Sequence, residues 1–397
     1  MNILVVTQYY YPERFLINDI TAELVKRGHN VTVLTGVPNY PSGIIPKEYR
    51  KNKIKEEEVN GAKVLRCPIV PRGKSRIKLL INYFSFMFKA NRRVKKIINN
   101  DFDLVFLYQL TPIFAAYPAI TISKKKNIPL LCYCLDLAPL SGFERVGKLF
   151  FFKRFYKKFS KWAYNNCSHI AVTSKSFIDY LAKIHNIPEN KMSYIPQHAL
   201  DTLSKLDLSK EANDTIEFLY AGNMGKGPRL ENILLASEIL INKNICNFCV
   251  KFVGDGTQKE SLIEMAKKKN VTNIFFQDSV PMEKMPSIYK NADALLVTLK
   301  KGQIAIPSKV QSYMAAGKPI IASMDGAGKD LICEAKCGLC VEAENPNALA
   351  EIMERYINNP SDYADCGKNG KDFYNNNMTL DIFMEKILNL MDSLKKR

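Results

Sequence analysis

Short apolar runs alternate with longer amphipathic ones along nearly the whole chain, and no other feature narrows the possible folds as much. Residues 104–108 and 130–136 are almost continuously apolar, the pattern of strands covered on both faces of a parallel sheet. Residues 2–8, 31–36, 63–69, 169–174 and 192–196 read as further strands, and 16–27, 76–99 and 145–166 as helices. The stretch 201–214 turns polar and loses the pattern, so it reads as a linker. A second series follows, with strands at 216–222, 248–253, 273–277, 294–299, 319–322 and 338–341 and helices at 230–242, 259–269 and after Pro307. The expected fold class is α/β: two Rossmann-like doubly wound domains, residues 1–200 and 201–375, facing a cleft. C-terminal helices, with residues 376–397 as the last, are expected to pack back toward the first domain.

In such sheets ligands gather at the carboxyl ends of the strands, so the loops after strands carry the chemistry. Tyr220-Ala-Gly-Asn-Met-Gly-Lys-Gly-Pro-Arg229 joins a strand to a helix. Gly222, Gly225 and Gly227 let a ligand approach the backbone, the helix N-terminus offers free N–H groups, and Lys226 and Arg229 add positive charge. This reads as a phosphate cradle, although it is neither a Walker A loop nor a GxGxxG fingerprint. A Gly-rich turn with two solvated cations is the plainer alternative. Val253-Gly-Asp-Gly256 is a second tight loop, able to lie against a base or ribose, or an ordinary Asp-Gly turn. Pro307 fits a first helical turn and places Ser308 and Lys309 at a helix N-terminus, where dipole and charge together favour a diphosphate. Capping chemistry and a solvated lysine would use the same residues. In the first half, Glu13 and Asp136 lie in loops of one sheet edge, where a carboxylate can orient a hydroxyl or accept a proton, or serve as a cap or loop anchor.

Pro12-Glu13, Leu24-Val-Lys-Arg-Gly-His29, Thr35-Gly-Val-Pro-Asn-Tyr-Pro41, Tyr220-Ala-Gly-Asn-Met-Gly-Lys226 and Pro307-Ser-Lys309 occur in this order. Together they resemble the GT-B glycosyltransferases of family 4, over almost the whole chain. The likeness is nearest to the WbuB-like branch, which builds bacterial surface polysaccharides. The resemblance implies a retaining transfer of a sugar, an amino- or deoxyhexose, from a nucleotide-diphosphate donor, UDP-linked, with no metal and no further cofactor. The implied acceptor is a polyprenyl-diphosphate-linked saccharide of O-antigen or capsule synthesis. By motif position, Gly222, Asn223, Lys226, Arg229, Ser308 and Lys309 would hold the donor diphosphate, and Gly254, Asp255, Gly256 and Val280 the base and ribose. Asp136, Glu13 and Lys309 would act in catalysis, and Asn18, Asn39, Tyr40 and Ser141 on the acceptor side. The sequence also departs from the family pattern. Ile304 and Ser312 stand where paired glutamates are usual, and Ala138-Pro139 replaces Trp-Pro, so sugar and ribose contacts do not carry over at those positions. A nucleotide-sugar epimerase of the same fold, or a noncatalytic nucleotide- or nucleic-acid-binding protein, remains the alternative class.

Charge bears on partners. Lys and Arg number 57 against 39 Asp and Glu, a net charge of +18, which fits nucleic acid, a membrane surface or phosphorylated substrates. Two segments, 72–96 and 145–162, interleave cations with aromatics and are read as facing an anionic membrane surface; solvated cations over core aromatics are the alternative. No nucleic-acid-binding module accompanies them, so no nucleic-acid partner is expected. No signal sequence and no run of roughly 18 apolar residues is present, so the expected location is cytoplasmic, peripheral on the inner membrane face, with reduced thiols. Cys246/Cys249 and Cys337/Cys340 have metal-like spacing but lie in apolar, strand-like runs, so no metal is expected there.

Overall fold

The computed structural model describes residues 1–73, 75–140, 150–199, 201–210 and 214–396. The chain divides into two compact units, Met1–Pro196 with Phe383–Arg397, and Gln197–Ile382.

The first unit is built on eight strands: β1 (Asn2–Val6), β2 (Asn30–Gly36), β3 (Glu56–Val59), β4 (Ala62–Cys67), β5 (Leu104–Gln109), β6 (Leu130–Cys134), β7 (His169–Val172) and β8 (Met192–Tyr194). Their order is β3-β4-β2-β1-β5-β6-β7-β8, all parallel except β3 against β4. Every residue of β5 and β6 is buried, as their continuous apolar sequences require. The order reverses between β1 and β5, which makes the carboxyl ends of these strands the natural ligand crevice. Strand β3 is unexpected, because Glu56-Glu-Glu-Val59 has the composition of a loop. It forms because Asn60 and Gly61, both at positive φ (49° and 78°), make the tight two-residue hairpin to β4.

The last helix, Leu380–Lys395, completes this unit. Phe383, Met384, Ile387, Met391 and Leu394 form its buried stripe. The Phe383 ring lies 5.2 Å from that of Tyr133, and Lys395 pairs with Asp103 at 3.0 Å. Of the expected C-terminal helices only this one joins the first unit. The preceding helix, Ala364–Asn377, stays with the second, where the Tyr374 hydroxyl accepts from the N–H of Ala199 at 3.1 Å.

The second unit carries six parallel strands: β9 (Ile216–Ala221), β10 (Phe248–Val253), β11 (Ile274–Gln277), β12 (Ala294–Thr298), β13 (Ile320–Ser323) and β14 (Gly338–Val341). They lie in the order β11-β10-β9-β12-β13-β14, with the reversal between β9 and β12. Residues 201–210, read above as linker, are packed instead. Leu203 and Leu208 join Val310, Tyr313 and Met314 in the core. Leu203, Leu206 and Leu208 stand among polar neighbours in a run too short to show a period, and Leu206 is exposed. Both units are thus Rossmann-like, and no described helix is long and apolar enough to cross a membrane.

Candidate functional site

In the second unit the loops after β9 and β10 are stitched together. Gly222 N–H donates to Val253 O at 2.8 Å, Met224 N–H to Asp255 O at 2.8 Å, and Gln258 N–H to Met224 O at 2.9 Å. This approach requires glycine at two positions. Gly254 has φ +147°, and a Cβ there would stand 2.0 Å from Gly222 O. Gly222 has φ +139°, and a Cβ on it would meet Lys309 Nζ at 2.4 Å. A cavity of about 380 Å³ opens beside these loops, lined among others by Gly222, Asn223, Gly254, Asp255, Val280 and Ser312. Five residues read separately from the sequence as diphosphate or base contacts therefore meet at one cavity. Gly256 lies just outside it, packed against Met224 and Asn223.

Lys309 holds its ammonium against Gly222 of this backbone. It occupies the first turn of the helix Ser308–Ala316, whose N-cap, Pro307, supplies no side-chain acceptor, so the first N–H groups remain open. Its Nζ lies 4.9 Å from the centroid of the Tyr220 ring, and the Tyr220 hydroxyl is fixed by donating to Asn223 O at 2.8 Å. Among the described residues Lys309 has no carboxylate partner, and burial pushes its pKa down to about 8. Arg229 is placed differently. Its Nε donates to Glu344 at 2.7 Å and its Nη1 to Glu231 at 3.3 Å, and the bond to Glu344 holds its pKa above the ordinary value. Its charge is already matched. Lys226 and Ser308 are exposed.

In the first unit the loops after β1, β2 and β4 form one hydrogen-bonded cluster. Buried Glu13 accepts from the N–H groups of Asn39 (2.6 Å) and Tyr40 (2.5 Å). Burial holds its pKa above the ordinary carboxylate value, against the opposing pull of those two N–H groups. Asn18 donates to Glu13 O at 2.8 Å and accepts from Tyr11 N–H at 3.1 Å. Asn39 Oδ1 accepts from Arg72 N–H and from Asn82, whose own Oδ1 accepts from Gln8. Glu13, Asn18 and Asn39 therefore shape loops. Tyr40 is exposed, its ring against Tyr9 and Phe15 with the Arg72 guanidinium 4.9 Å above it. Asp136 stands apart at the end of β6, accepting from Thr111 N–H at 2.8 Å. Ser141 lies outside the described residues.

Sequence reading missed Arg66, the largest fully buried side chain. It pairs with Glu57 through Nε at 2.6 Å, donates to the carbonyls of Gly36 and Tyr11, and lies 5.2 Å over the Tyr49 ring. One guanidinium thus ties together the ends of β1, β2 and β4, with Glu57 of β3 as its counter-ion. Removing one partner of such a buried pair costs about 3–5 kcal/mol. A lone arginine in the run Ala62–Cys67 gives no sequence signal beyond its departure from apolar alternation. Tyr220, which lies under the Lys309 ammonium, and Tyr289, which lines the cavity, carry no signal in the sequence that sets them apart from core tyrosines. Cys337 is buried and Cys340 half-buried, and among the described residues no three His, Cys, Asp or Glu side chains gather as a metal site would.

The two basic segments are partly reassigned by their contacts. Arg72 belongs to the loop cluster, Arg93 pairs with Glu56 of β3, and Lys74, Arg145 and Lys148 lie outside the described residues. Buried Phe114 and Tyr156 pack with half-buried Phe152 and Phe159, which accounts for part of the aromatic pattern. On the helix Arg76–Ile97, however, Ile77 (68% exposed), Ile81 and Phe88 (60%) lie along one face, joined through Phe84 to exposed Phe155.

The sequence model described as "Glycosyl transferases group 1" matches residues 206–373, and that described as "Glycosyltransferase Family 4" matches residues 16–197. The chain is 27% identical over 384 residues to the "Putative colanic acid biosynthesis glycosyl transferase WcaI" of Escherichia coli (strain K12), covering 88% of this chain and 90% of that protein. Among solved structures, sucrose-phosphate synthase from Thermosynechococcus elongatus superposes with a TM-score of 0.76 at 16% identity, over 99% of this chain and 98% of that one. Anabaena Alr3699/HepE in complex with UDP gives 0.72 at 13%, over 99% and 100%.

Proposed function

The chain belongs to the family 4 glycosyltransferases of the GT-B fold, and on that premise we propose that it transfers a sugar from a nucleoside-diphosphate donor, held in the second unit, to a lipid-linked saccharide. One observation carries the donor assignment. Lys309 is a desolvated ammonium with no carboxylate partner, lying against the glycine backbone of a nucleotide-sized cavity. Leaving a charge so is unfavourable unless an anion completes the site. The UDP bound in HepE supports a uridine nucleotide as that ligand. We assign neutralisation of the departing diphosphate to Lys309, the first N–H groups of Ser308–Ala316 and exposed Lys226, so the proposed transfer needs no metal ion. Arg229 can join them only by leaving Glu344 and Glu231. In a retaining front-side route the leaving phosphate takes the acceptor proton, and Asp136 orients the acceptor hydroxyl.

This assignment fixes a pH dependence. A diphosphate binds the protonated Lys309, whose pKa in the empty site is about 8. Affinity for UDP should therefore be level below pH 8 and fall as pH rises through it, by up to about tenfold per unit. Calorimetric titration of UDP between pH 7 and 9.5 checks this, and a constant affinity over that range would remove Lys309 from the phosphate site.

We assign the acceptor to the strand-end loops of the first unit, where the exposed Tyr40 ring and Arg72 offer a face for a sugar and a charge for its phosphate. The stripe Ile77, Ile81 and Phe88, bordered by exposed Arg76, Lys78, Lys89 and Arg92, would bring the enzyme to the membrane that carries a polyprenyl-linked acceptor. Surface polysaccharide synthesis is the proposed setting, supported by the name that WcaI carries. The chain should float with vesicles containing phosphatidylglycerol at low salt and not with neutral vesicles. The double variant Ile77→Glu/Phe88→Glu should lose most of that binding while keeping its UDP affinity. Equal flotation of variant and parent would place the contact elsewhere.

A further inference from the structure

Three tyrosines belong to the elements that carry the donor cavity, and two of their hydroxyls are engaged by the protein. Tyr220 donates to Asn223 O at 2.8 Å, and Tyr313 accepts from Ala221 N–H at 3.1 Å. The third, Tyr289, lies on the helix Met285–Asn291, is 6% exposed and lines the cavity. Its ring is held edge-on against Tyr313, centroids 5.9 Å apart at 75°. Its hydroxyl makes no hydrogen bond among the described residues, and burial alone pushes its pKa up.

The other polar side chains at the cavity do not match it. Ser312 donates to Ser308 O at 3.2 Å, and Asp255 accepts from its neighbour's N–H at 2.8 Å. Thr202, Asn223 and Ser279 are exposed, while Leu203, Ala221 and Val253 give the interior an apolar wall. The interior is thus a largely apolar slot, and on it opens one hydroxyl with no protein partner among the described residues. A ligand that fills the slot takes water from this hydroxyl, which is unfavourable unless the ligand offers a polar atom in its place. Apolar walls with one directional group suit the faces and edge of a flat heterocycle rather than a sugar, which would present several hydroxyls to a wall unable to bond them.

Resting on the donor assignment above, we infer that Tyr289 reads the nucleobase. Its hydroxyl bonds a polar atom on the base edge while the diphosphate lies at Gly222 and Lys309. A site built to bond a polar atom discriminates against ligands lacking it, so Tyr289 sets donor specificity as well as affinity.

Tyr289→Phe removes the hydroxyl and keeps the ring on Tyr313. Calorimetry with UDP, GDP, ADP and dTDP, and with inorganic pyrophosphate as a ligand lacking a base, tests the inference. The nucleotide preferred by the parent protein should bind the variant about five- to tenfold more weakly, and its advantage over the next should shrink alike. Pyrophosphate affinity and the melting temperature should not change. Unchanged binding of the preferred nucleotide overturns the inference, and so does an equal loss for pyrophosphate. Lys309→Ala separates the two assignments, since it should weaken nucleotide and pyrophosphate together. If neither ligand binds the parent protein, the donor reading falls and the base contact with it.

Discussion

Lys309→Ala should lower the rate of sugar transfer about a hundredfold, mostly in kcat, and should not lower the melting temperature. The size follows from the role. A fixed donor aimed at charge that develops in the transition state is worth about 10²–10³ in rate when removed. The loss should fall on kcat because a leaving diphosphate carries more charge in the transition state than in the bound donor. The stability half of the prediction comes from the sign of the pKa shift. Burial disfavours the charged lysine in the folded chain and lowers its pKa to about 8, below the ordinary lysine value. At pH 7 the empty site therefore weakens the fold, and this penalty fades as pH rises through 8 toward the unfolded value. Alanine removes the penalty. Lost turnover with a level or raised melting temperature marks a functional group, whereas turnover within about threefold of the parent would show that Lys309 does not stabilise the leaving group.

Gly254→Ala should destabilise the second unit by about 2–4 kcal/mol and abolish measurable nucleotide binding. Two effects add. The backbone at φ +147° is one that side chains rarely adopt, and the new Cβ would lie 2.0 Å from Gly222 O. That neighbour is backbone and cannot rotate away, so the two loops must part, taking Gly222 from Lys309 and opening the cavity. For a unit of this size the melting temperature should drop by roughly 5–12 °C. Gly227→Ala is the control, because a Cβ there meets nothing within 4 Å. Calorimetric melting of both variants decides, and equal stability for the two would mean that the loop contact is not tight.

Much of this could be read from the sequence because parallel strands covered on both faces leave no choice of composition. Runs such as Leu104–Gln109 are apolar throughout, and the loops that follow strands concentrate glycines and cations. Lys309 was legible for that reason, since a lysine two residues after a helix-starting proline has little room to be elsewhere than at the N-terminus. What escaped reading was set by partners distant in sequence. Strand β3 is held in place by β4 and by the pull of Arg66 and Arg93 on its glutamates, so its acid run misleads. Arg66 acquires its meaning only when β1, β2 and β4 converge on it. The sequence around Arg229 gives no sign of Glu344, 115 residues away, which pairs with it. Glu13 likewise depends on a loop 26 residues downstream.

The helix Leu380–Lys395 closes the first unit only after the chain has passed through all of the second. On a ribosome adding about 5–20 residues per second, that interval is roughly ten to forty seconds. Throughout it Tyr133 and its neighbours have no Phe383 to cover them, so the nascent first unit shows water an apolar face that the finished protein hides. Such a face is what holdase chaperones recognise. The wait is written into the order of the segments, and moving this helix ahead of residue 1 by circular permutation would abolish it without altering a single contact within the helix.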